Sequence, residues 1–121
     1  MDVSFWGRSG VHELSIAESV VGIAVHQAAG RRVTKVGMKV GHLRQVVPSA
    51  LAFGFELVAQ GTPVEGAELE VEEVPVAGRC RVCGAESSPR EFPLACGACG
   101  GLELEILAGE ELSVEYLELE E

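Results

Sequence analysis

The stretch Cys80–Gly101, with the sequence CRVCGAESSPREFPLACGACGG, decides how this chain of 121 residues is organised. It contains two C-x-x-C pairs, Cys80 with Cys83 and Cys96 with Cys99, and twelve residues separate the pairs. Zinc is bound by four donors at tetrahedral positions about 2.3 Å away, and a C-x-x-C turn supplies two of them from one side. The spacing therefore predicts a zinc ribbon that is held by one ion.

Two other uses of the cysteines fit the sequence less well. A redox motif needs one C-x-x-C pair, usually at the start of a helix, whereas both pairs here lie in glycine-rich turns. Disulfides are typical of exported proteins, and the first ten residues, MDVSFWGRSG, lack the apolar stretch of a secretory signal. We therefore expect a cytoplasmic protein whose zinc site is closed and structural. A segment of about thirty residues has too little core to fold alone, so zinc binding and folding should be coupled.

Two amphipathic helices are predicted before the cysteines. Residues 12–29 form the first, with Ser15 and Glu18 as a capping box near its start and Gly30 as its end. Its apolar face is marked by Ile16, Val20 and Ile23 and is widened by Ala17, Val21, Ala24 and Ala28. Pro48 suits the first turn of the second helix. The buried face of the second helix is marked by Leu51, Phe55 and Val58.

Alternating apolar residues predict strands around 36–40, 69–74 and 112–119, the last with a phase break after Tyr116. A further alternation covers residues 102–106. The predicted fold is α/β (α+β), with two helices on a small three-stranded sheet and an inserted four-cysteine zinc ribbon. The predicted domains are an α/β domain of residues 11–75, completed by a final strand in 108–121, and a ribbon domain of residues 76–107.

Charge and composition argue against several function classes. The formal net charge is -10, from 9 Lys and Arg against 19 Asp and Glu, and duplex nucleic acid repels such a surface. Asp2 is the single aspartate, which disfavours Ser-His-Asp catalysis, calcium loops and Walker-type magnesium sites. No apolar run is long enough to span a membrane, and no P-loop is present. We therefore expect neither an enzyme nor a nucleic-acid or membrane partner.

Several segments together resemble one known family. They are Val11–Ser15 (VHELS), Val40–Leu43 (VGHL), Val47–Leu51 (VPSAL), Phe53–Glu56 (FGFE) and Gly61–Ala67 (GTPVEGA). With the four-cysteine ribbon, and in this order along the chain, they are similar to segments of the HypA/HybF family of hydrogenase nickel incorporation proteins. The resemblance runs from about Val11 to the C-terminus.

The resemblance implies a nickel domain with an inserted zinc domain, and delivery of nickel to [NiFe]-hydrogenase large-subunit precursors. It also implies a partner GTPase, HypB-like, and in some organisms delivery to urease through accessory proteins. The implied nickel residues are His12, through its imidazole and backbone nitrogen, and Glu13 beside it. Imidazole and deprotonated amide nitrogens give a square-planar field that suits Ni(II).

The start of the chain departs from the family pattern. In that family the histidine is the second residue, so that the terminal amine can complete the nickel site. Here ten residues precede Val11. We interpret residues 1–10 as a non-native or mis-annotated extension and Val11 as an initiating codon, GTG, that has been translated as an internal valine.

A zinc-ribbon module that binds nucleic acid or protein is the alternative function, because Arg79, Arg81 and Arg90 make the ribbon locally less acidic. Three candidate ligands also have simpler interpretations. His12 could be a surface residue without a role, and Glu13 could act only through the helix dipole. His42 is interpreted as a loop or packing residue in preference to an extra ligand. The sequence leaves open which nickel enzyme is served, the oligomeric state and the affinity for nickel.

Overall fold

A computed structural model describes residues 11–121 of the chain, and the interpretation of residues 1–10 lies outside this range. The helices are α1 (Val11–Ala28) and α2 (Pro48–Ala59), and a 3₁₀ turn spans His42–Arg44. The strands are β1 (Val33–Gly41), β2 (Glu68–Val74), β3 (Ala77–Cys80), β4 (Glu86–Ser87), β5 (Leu104–Ala108) and β6 (Leu112–Leu119). The predicted fold class is confirmed, with two helices, three-stranded sheets and clustered cysteines.

The chain divides into two compact units. The first unit comprises the residues up to Met38, Val46–Glu72 and Ser113–Glu121, and the second comprises Lys39–Gln45 and Glu73–Leu112. One sheet has the strand order β2-β1-β6, and the other, which carries the cysteines, has the order β4-β3-β5. Within the second unit, the amide of Leu43 in the 3₁₀ turn donates a hydrogen bond to the Gly109 carbonyl. The ribbon domain of residues 76–107 stays a prediction.

Helix α1 begins earlier than the capping-box pattern indicated. Ser15 and Glu18 lie inside the helix on its exposed side, so the S-x-x-E pattern does not mark the start. The end is as predicted, because Ala29 and Gly30 adopt positive φ angles of 51° and 90° and terminate the helix. Ile23 is 46% exposed, so its predicted place on the apolar face is wrong. The buried stripe advances by four residues at a time, along Ile16, Val20, Ala24 and Ala28, and on the adjacent row at Ala17 and Val21.

Helix α2 packs against α1 in the first unit. Pro48 occupies the first turn, as predicted, and the buried positions are Leu51, Gly54, Phe55 and Ala59. Val58 is only half-buried, since the stripe passes through Phe55 and Ala59 instead. A Cβ at Gly54 would lie 3.5 Å from the Leu14 backbone and from the side chains of Leu14 and Ala17. The absence of a side chain at Gly54 therefore lets the two helix backbones come close together.

The strands around 36–40, 69–74 and 112–119 all form. Along β6, Val114, Leu117 and Leu119 are half-buried and Tyr116 is exposed, and the phase break after Tyr116 stays a prediction. The alternation at 102–106 belongs to β5, a strand of the second sheet, and Leu102 before it is 66% exposed. Strands β3 and β4 were not predicted from the sequence. They are four and two residues long, too short for an alternation to stand out.

A side-chain ladder crosses the outer face of the first sheet. The Tyr116 ring on β6 lies over Gly37 on β1, where a Cβ would overlap the ring atoms. The Tyr116 hydroxyl donates a hydrogen bond to Glu70 on β2. Lys35 on β1 lies 3.8 Å from the other oxygen of the Glu70 carboxylate. The central strand therefore has a glycine where the tyrosine has to pass from one edge strand to the other.

Candidate metal centre

Four sulfur atoms meet in the second unit. The Sγ atoms of Cys80, Cys83, Cys96 and Cys99 all lie within 4.8 Å of one another. The distances from Cys80 to Cys99 and from Cys83 to Cys96 are both 3.6 Å. Four thiolates at about 2.3 Å from one ion would stand roughly 3.8 Å apart, whereas disulfide sulfurs are about 2.05 Å apart. The separations fit a shared tetrahedral ion, and all four thiols are free.

The two C-x-x-C turns are built in the same way. The carbonyl of Cys80 accepts a hydrogen bond of 2.9 Å from the Gly84 amide, and the carbonyl of Cys96 accepts one of 2.9 Å from the Gly100 amide. Gly84 and Gly100 have φ angles of +81° and +77°, a conformation that glycine adopts without steric cost. Each turn thus presents two sulfurs on one side, and Cys80 is fixed in addition as the last residue of β3.

Backbone amides point at the sulfurs. The Cys80 sulfur accepts hydrogen bonds from the amides of Val82 and Cys83. The Cys96 sulfur accepts one from the Ala98 amide, and the Cys99 sulfur accepts one from the Gly101 amide. All four bonds are 3.3–3.4 Å long. The amides of Cys99 and Ala98 lower the pKa of Cys96 to about 6. The amides of Cys83 and Val82 likewise lower the pKa of Cys80. These amides stabilise the thiolate form, which is the form that binds metal.

Cys99 shows what limits ionisation of the cluster. The Gly101 amide favours its thiolate, but the sulfurs of Cys80 and Cys83 outweigh that effect and raise the pKa of Cys99 to about 12. Sulfurs this close cannot all carry a negative charge unless a cation lies among them. A dication that accepts four thiolate ligands meets this requirement, and Zn²⁺ is such an ion. The donor set therefore fits structural zinc.

The predicted nickel residues lie in the first turn of α1, in the first unit. His12 is half-buried, whereas Glu13 is only 1% exposed. One Glu13 carboxylate oxygen accepts a hydrogen bond of 2.7 Å from the backbone amide of Val47. Val47 precedes α2 and has no side-chain acceptor of its own, and Pro48 has no amide to donate. Glu13 therefore serves as a cap for a helix other than its own, which the sequence alone did not indicate.

The other two histidines, His26 and His42, lie in different parts of the chain. His26 lies in the last turn of the same continuous helix, and fourteen residues at about 1.5 Å each span roughly 21 Å. His42 lies in the second unit, in the 3₁₀ turn, where its Nε2 is 3.1 Å from the Arg90 carbonyl oxygen. Within residues 11–121, the cysteine cluster is the one group of three or more His, Cys, Asp or Glu residues close enough to share an ion.

Neither described helix is long and apolar enough to cross a membrane.

The chain matches a family model described as hydrogenase/urease nickel incorporation, metallochaperone, hypA, over residues 11–119. It is 46% identical over 110 residues to the hydrogenase maturation factor HypA of Geotalea uraniireducens, covering 91% of this chain and 100% of the relative. It is 38% identical to the HypA of a Nostoc species, covering 92% of this chain and 97% of the relative.

Two solved structures share the fold. One is the solution structure of a HypA protein, with a TM-score of 0.63, 21% identity, and coverage of 89% of this chain and 95% of the other. The second is the solution structure of the Ni metallochaperone HypA from Helicobacter pylori, with a TM-score of 0.61 and 20% identity. That match covers 88% of this chain and 96% of the Helicobacter chain.

Proposed function

The chain belongs to the HypA family and is a nickel metallochaperone of hydrogenase maturation, and we propose that it takes up Ni(II) at His12 and Glu13. The observation that carries this function is the family match from residue 11 to residue 119, which includes the His12–Glu13 pair and all four cysteines. The alternative of a zinc-ribbon nucleic-acid or protein interaction module is not favoured by the same match.

The proposed ligands at His12 are its imidazole and its backbone nitrogen. His12 lies in the first turn of α1, where backbone amides have no acceptor within the helix. A deprotonated amide and an imidazole from one residue suit Ni(II). The buried Glu13 carboxyl group follows these atoms in the sequence, and its bond to Val47 holds the helix start in place. The ion is cargo, so a site at a helix end, from which it can be exchanged, is appropriate.

The site would be completed by a terminal amine if the chain began at position 11. We propose that residues 1–10 are not part of the native protein and that Met replaces Val11 at initiation. The family model, whose match begins at residue 11, supports this proposal. N-terminal sequencing of the native protein that finds Met1 would refute it.

Nickel titrations of two zinc-loaded forms test the nickel site. One form is the full chain, and the other begins with Met at position 11 followed by His12. We expect tight one-to-one binding by the short form and weaker binding by the long form. His12→Ala in the short form should abolish tight binding, and His26→Ala is the matched control that should retain it. If neither form binds nickel while both retain zinc, nickel uptake at this terminus is wrong.

We further propose that the nickel is passed to a [NiFe]-hydrogenase large-subunit precursor, with urease accessory proteins as a second destination. The chain has no P-loop, so a nucleotide-driven step would come from a HypB-like GTPase. We assign the hand-over to the cytoplasm, where free thiolates persist. The proposed ribbon domain of residues 76–107 then has a structural role, and no catalytic step is assigned to the chain.

A further inference from the structure

His42 and Glu73 face each other at the edge of a cavity of about 400 Å³ in the second unit. His42 Nδ1 lies 3.9 Å from a carboxylate oxygen of Glu73. Ser88 and Arg90 line the same cavity. Both facing side chains reach solvent, with exposed fractions of 36% for His42 and 69% for Glu73. None of the residues that line this cavity is a cysteine of the cluster or a proposed nickel residue.

The backbone around His42 is fixed by its neighbours. The amide of Leu43 donates a hydrogen bond of 2.8 Å to the Gly109 carbonyl, and Arg44 Nε donates one of 2.8 Å to the Glu110 carbonyl. The Gln45 amide closes the 3₁₀ turn by bonding to the His42 carbonyl at 3.1 Å. The imidazole is therefore held at the cavity by a turn that is itself bonded to the chain before β6.

The hydrogen bond at Nε2 determines which ring nitrogen carries a proton. The Arg90 carbonyl oxygen, 3.1 Å away, can only accept a hydrogen bond, so Nε2 must carry a proton. In a neutral imidazole the second nitrogen, Nδ1, then presents a lone pair. That lone pair faces the Glu73 carboxylate across 3.9 Å. Two electron-rich atoms in this arrangement are stabilised by a cation between them, which can be a proton or a metal ion.

The same arrangement is typical of histidines that bind metals. A metal-ligating histidine commonly donates its other N–H to a backbone carbonyl, which fixes the tautomer and the ring orientation. Metal–nitrogen and metal–oxygen bonds are each about 2.0–2.2 Å, so their sum of roughly 4.2 Å spans the gap of 3.9 Å. Rotation of the exposed Glu73 side chain would bring the oxygen to the shorter separation that adjacent ligand positions require.

We propose that His42 and Glu73 form a second, exchangeable site for a divalent ion of the borderline class, such as Ni(II), Cu(II) or Zn(II). The protein supplies one imidazole nitrogen and one carboxylate, and water in the cavity supplies the remaining ligands. Arg90 lines the same cavity, and the positive charge of its side chain opposes a cation there. Two protein ligands and an opposing charge make the site weak, so it holds an ion only briefly. It does not depend on nickel binding at His12.

The test uses the zinc-loaded full chain carrying His12→Ala, so that the proposed primary site is silent. Nickel chloride is added while two-dimensional amide NMR spectra are recorded. Paramagnetic broadening should appear first at His42, Glu73 and Ser88 and should saturate. His42→Ala should remove this pattern, and Glu73→Gln, which alters an exposed side chain, should weaken binding roughly tenfold. His26→Ala is the matched control and should leave the pattern unchanged.

Arg90→Ala is the sharpest variant, because it keeps the carbonyl that fixes the tautomer and removes only the opposing charge. It should tighten nickel binding by roughly threefold. Broadening that persists in His42→Ala, or binding weakened by Arg90→Ala, would overturn the proposal. So would amides of the two C-x-x-C turns that respond to nickel before His42 does. Nickel that causes no saturable broadening at these amides would show that the pair is not a metal site.

Discussion

The Glu13 carboxylate accepts a 2.7 Å hydrogen bond from the backbone amide of Val47, and this bond joins the first turn of α1 to the start of α2. Glu13 is buried, so its carboxylate has lost hydration that the bond must replace. The two residues are 34 positions apart in the chain. The residue beside the proposed nickel ligand is therefore also part of the connection between the two helices.

Replacing Glu13 should lower stability even when no nickel is present. Glu13→Ala leaves the Val47 amide without this acceptor and opens a small void, so we expect the free energy of unfolding to fall by about 2 kcal/mol. Glu13→Gln keeps an acceptor oxygen and should cost less. Urea unfolding of the nickel-free protein, followed by the helical circular dichroism signal, measures both. Glu13→Ala with unchanged stability would show that the bond to Val47 contributes nothing.

The position of Glu13 shows why its role was missed from the sequence. The sequence offered two interpretations, a helix-dipole residue and a nickel neighbour, and both use only local information. The capping role depends on Val47, which comes near only after α1 and α2 have packed. By contrast, the cysteine cluster was predictable, because C-x-x-C spacing is a local signal of ligand geometry. The facing pair His42 and Glu73 likewise could not be predicted, since the two residues lie in different elements.

The same distinction applies to the fold. The helices and the strands of the first sheet have apolar periodicity within each segment, and all were predicted. Ile23 was misplaced because three-residue and four-residue steps both satisfy helical spacing, and only packing shows that the buried face includes Ala24, as predicted, but not Ile23. Gly37 carries no periodic signal at all. Its role depends on Tyr116, on the neighbouring strand β6.

Gly37→Ala should destabilise the protein because the added methyl group would meet the Tyr116 ring. We expect a loss of about 2 kcal/mol in the free energy of unfolding, typical of overpacking. Tyr116→Ala removes the ring, so Gly37→Ala in that background should cost much less. The coupling in this double-mutant cycle should exceed about 1 kcal/mol. Equal costs in both backgrounds would mean that the tyrosine does not require the glycine.

Gly22 provides the matched control for that cycle. It lies within α1, and a Cβ there would meet nothing within 4 Å. Gly22→Ala should raise the free energy of unfolding by roughly 0.5–1 kcal/mol, because alanine is the better helix former. Changes of opposite sign in the free energy of unfolding at positions 22 and 37 would separate the steric effect at Gly37 from the general effect of adding a methyl group.

Tyr116 should titrate at unusually high pH. Its hydrogen bond to Glu70 raises the pKa of Tyr116 from about 10 to about 12. A raised pKa means that the bond contributes stability fully below pH 10 and that this contribution is lost as the pH rises through about 12. Tyr116 is the single tyrosine of the chain, so the ultraviolet absorbance of tyrosinate reports it directly. Glu70→Gln should shift the midpoint down toward 10, and an unshifted midpoint would show that the bond is absent.

For Glu70, the other member of the pair, stability depends on pH with the opposite sign. The Tyr116 hydroxyl, followed by Lys35, holds the pKa of Glu70 below its ordinary value. The contribution of ionised Glu70 is therefore present above its ordinary pKa and is lost as the pH falls through the lowered value. Tyr116→Phe should return the Glu70 pKa toward its ordinary range, which carboxylate NMR titration measures. The Glu70 carboxylate is well exposed, so a change in its pKa is the expected effect and a large change in stability is not.

Zinc removal should unfold the ribbon and leave the helices. Cys80 is the last residue of β3, where it pairs with Leu104 of β5, so the metal and the small sheet share a residue. Cys80→Ser should therefore lose stoichiometric zinc, measured by metal analysis, together with the dispersed amide NMR signals of β3–β5. The helical circular dichroism signal should persist, since α1 and α2 both lie in the first unit.

Arg81→Ala, at an exposed position between the two cysteines of the same turn, is the control for this prediction and should retain zinc. Full zinc content in Cys80→Ser would mean that this sulfur is not a ligand, because three thiolates and a hydroxyl bind zinc far more weakly than four thiolates.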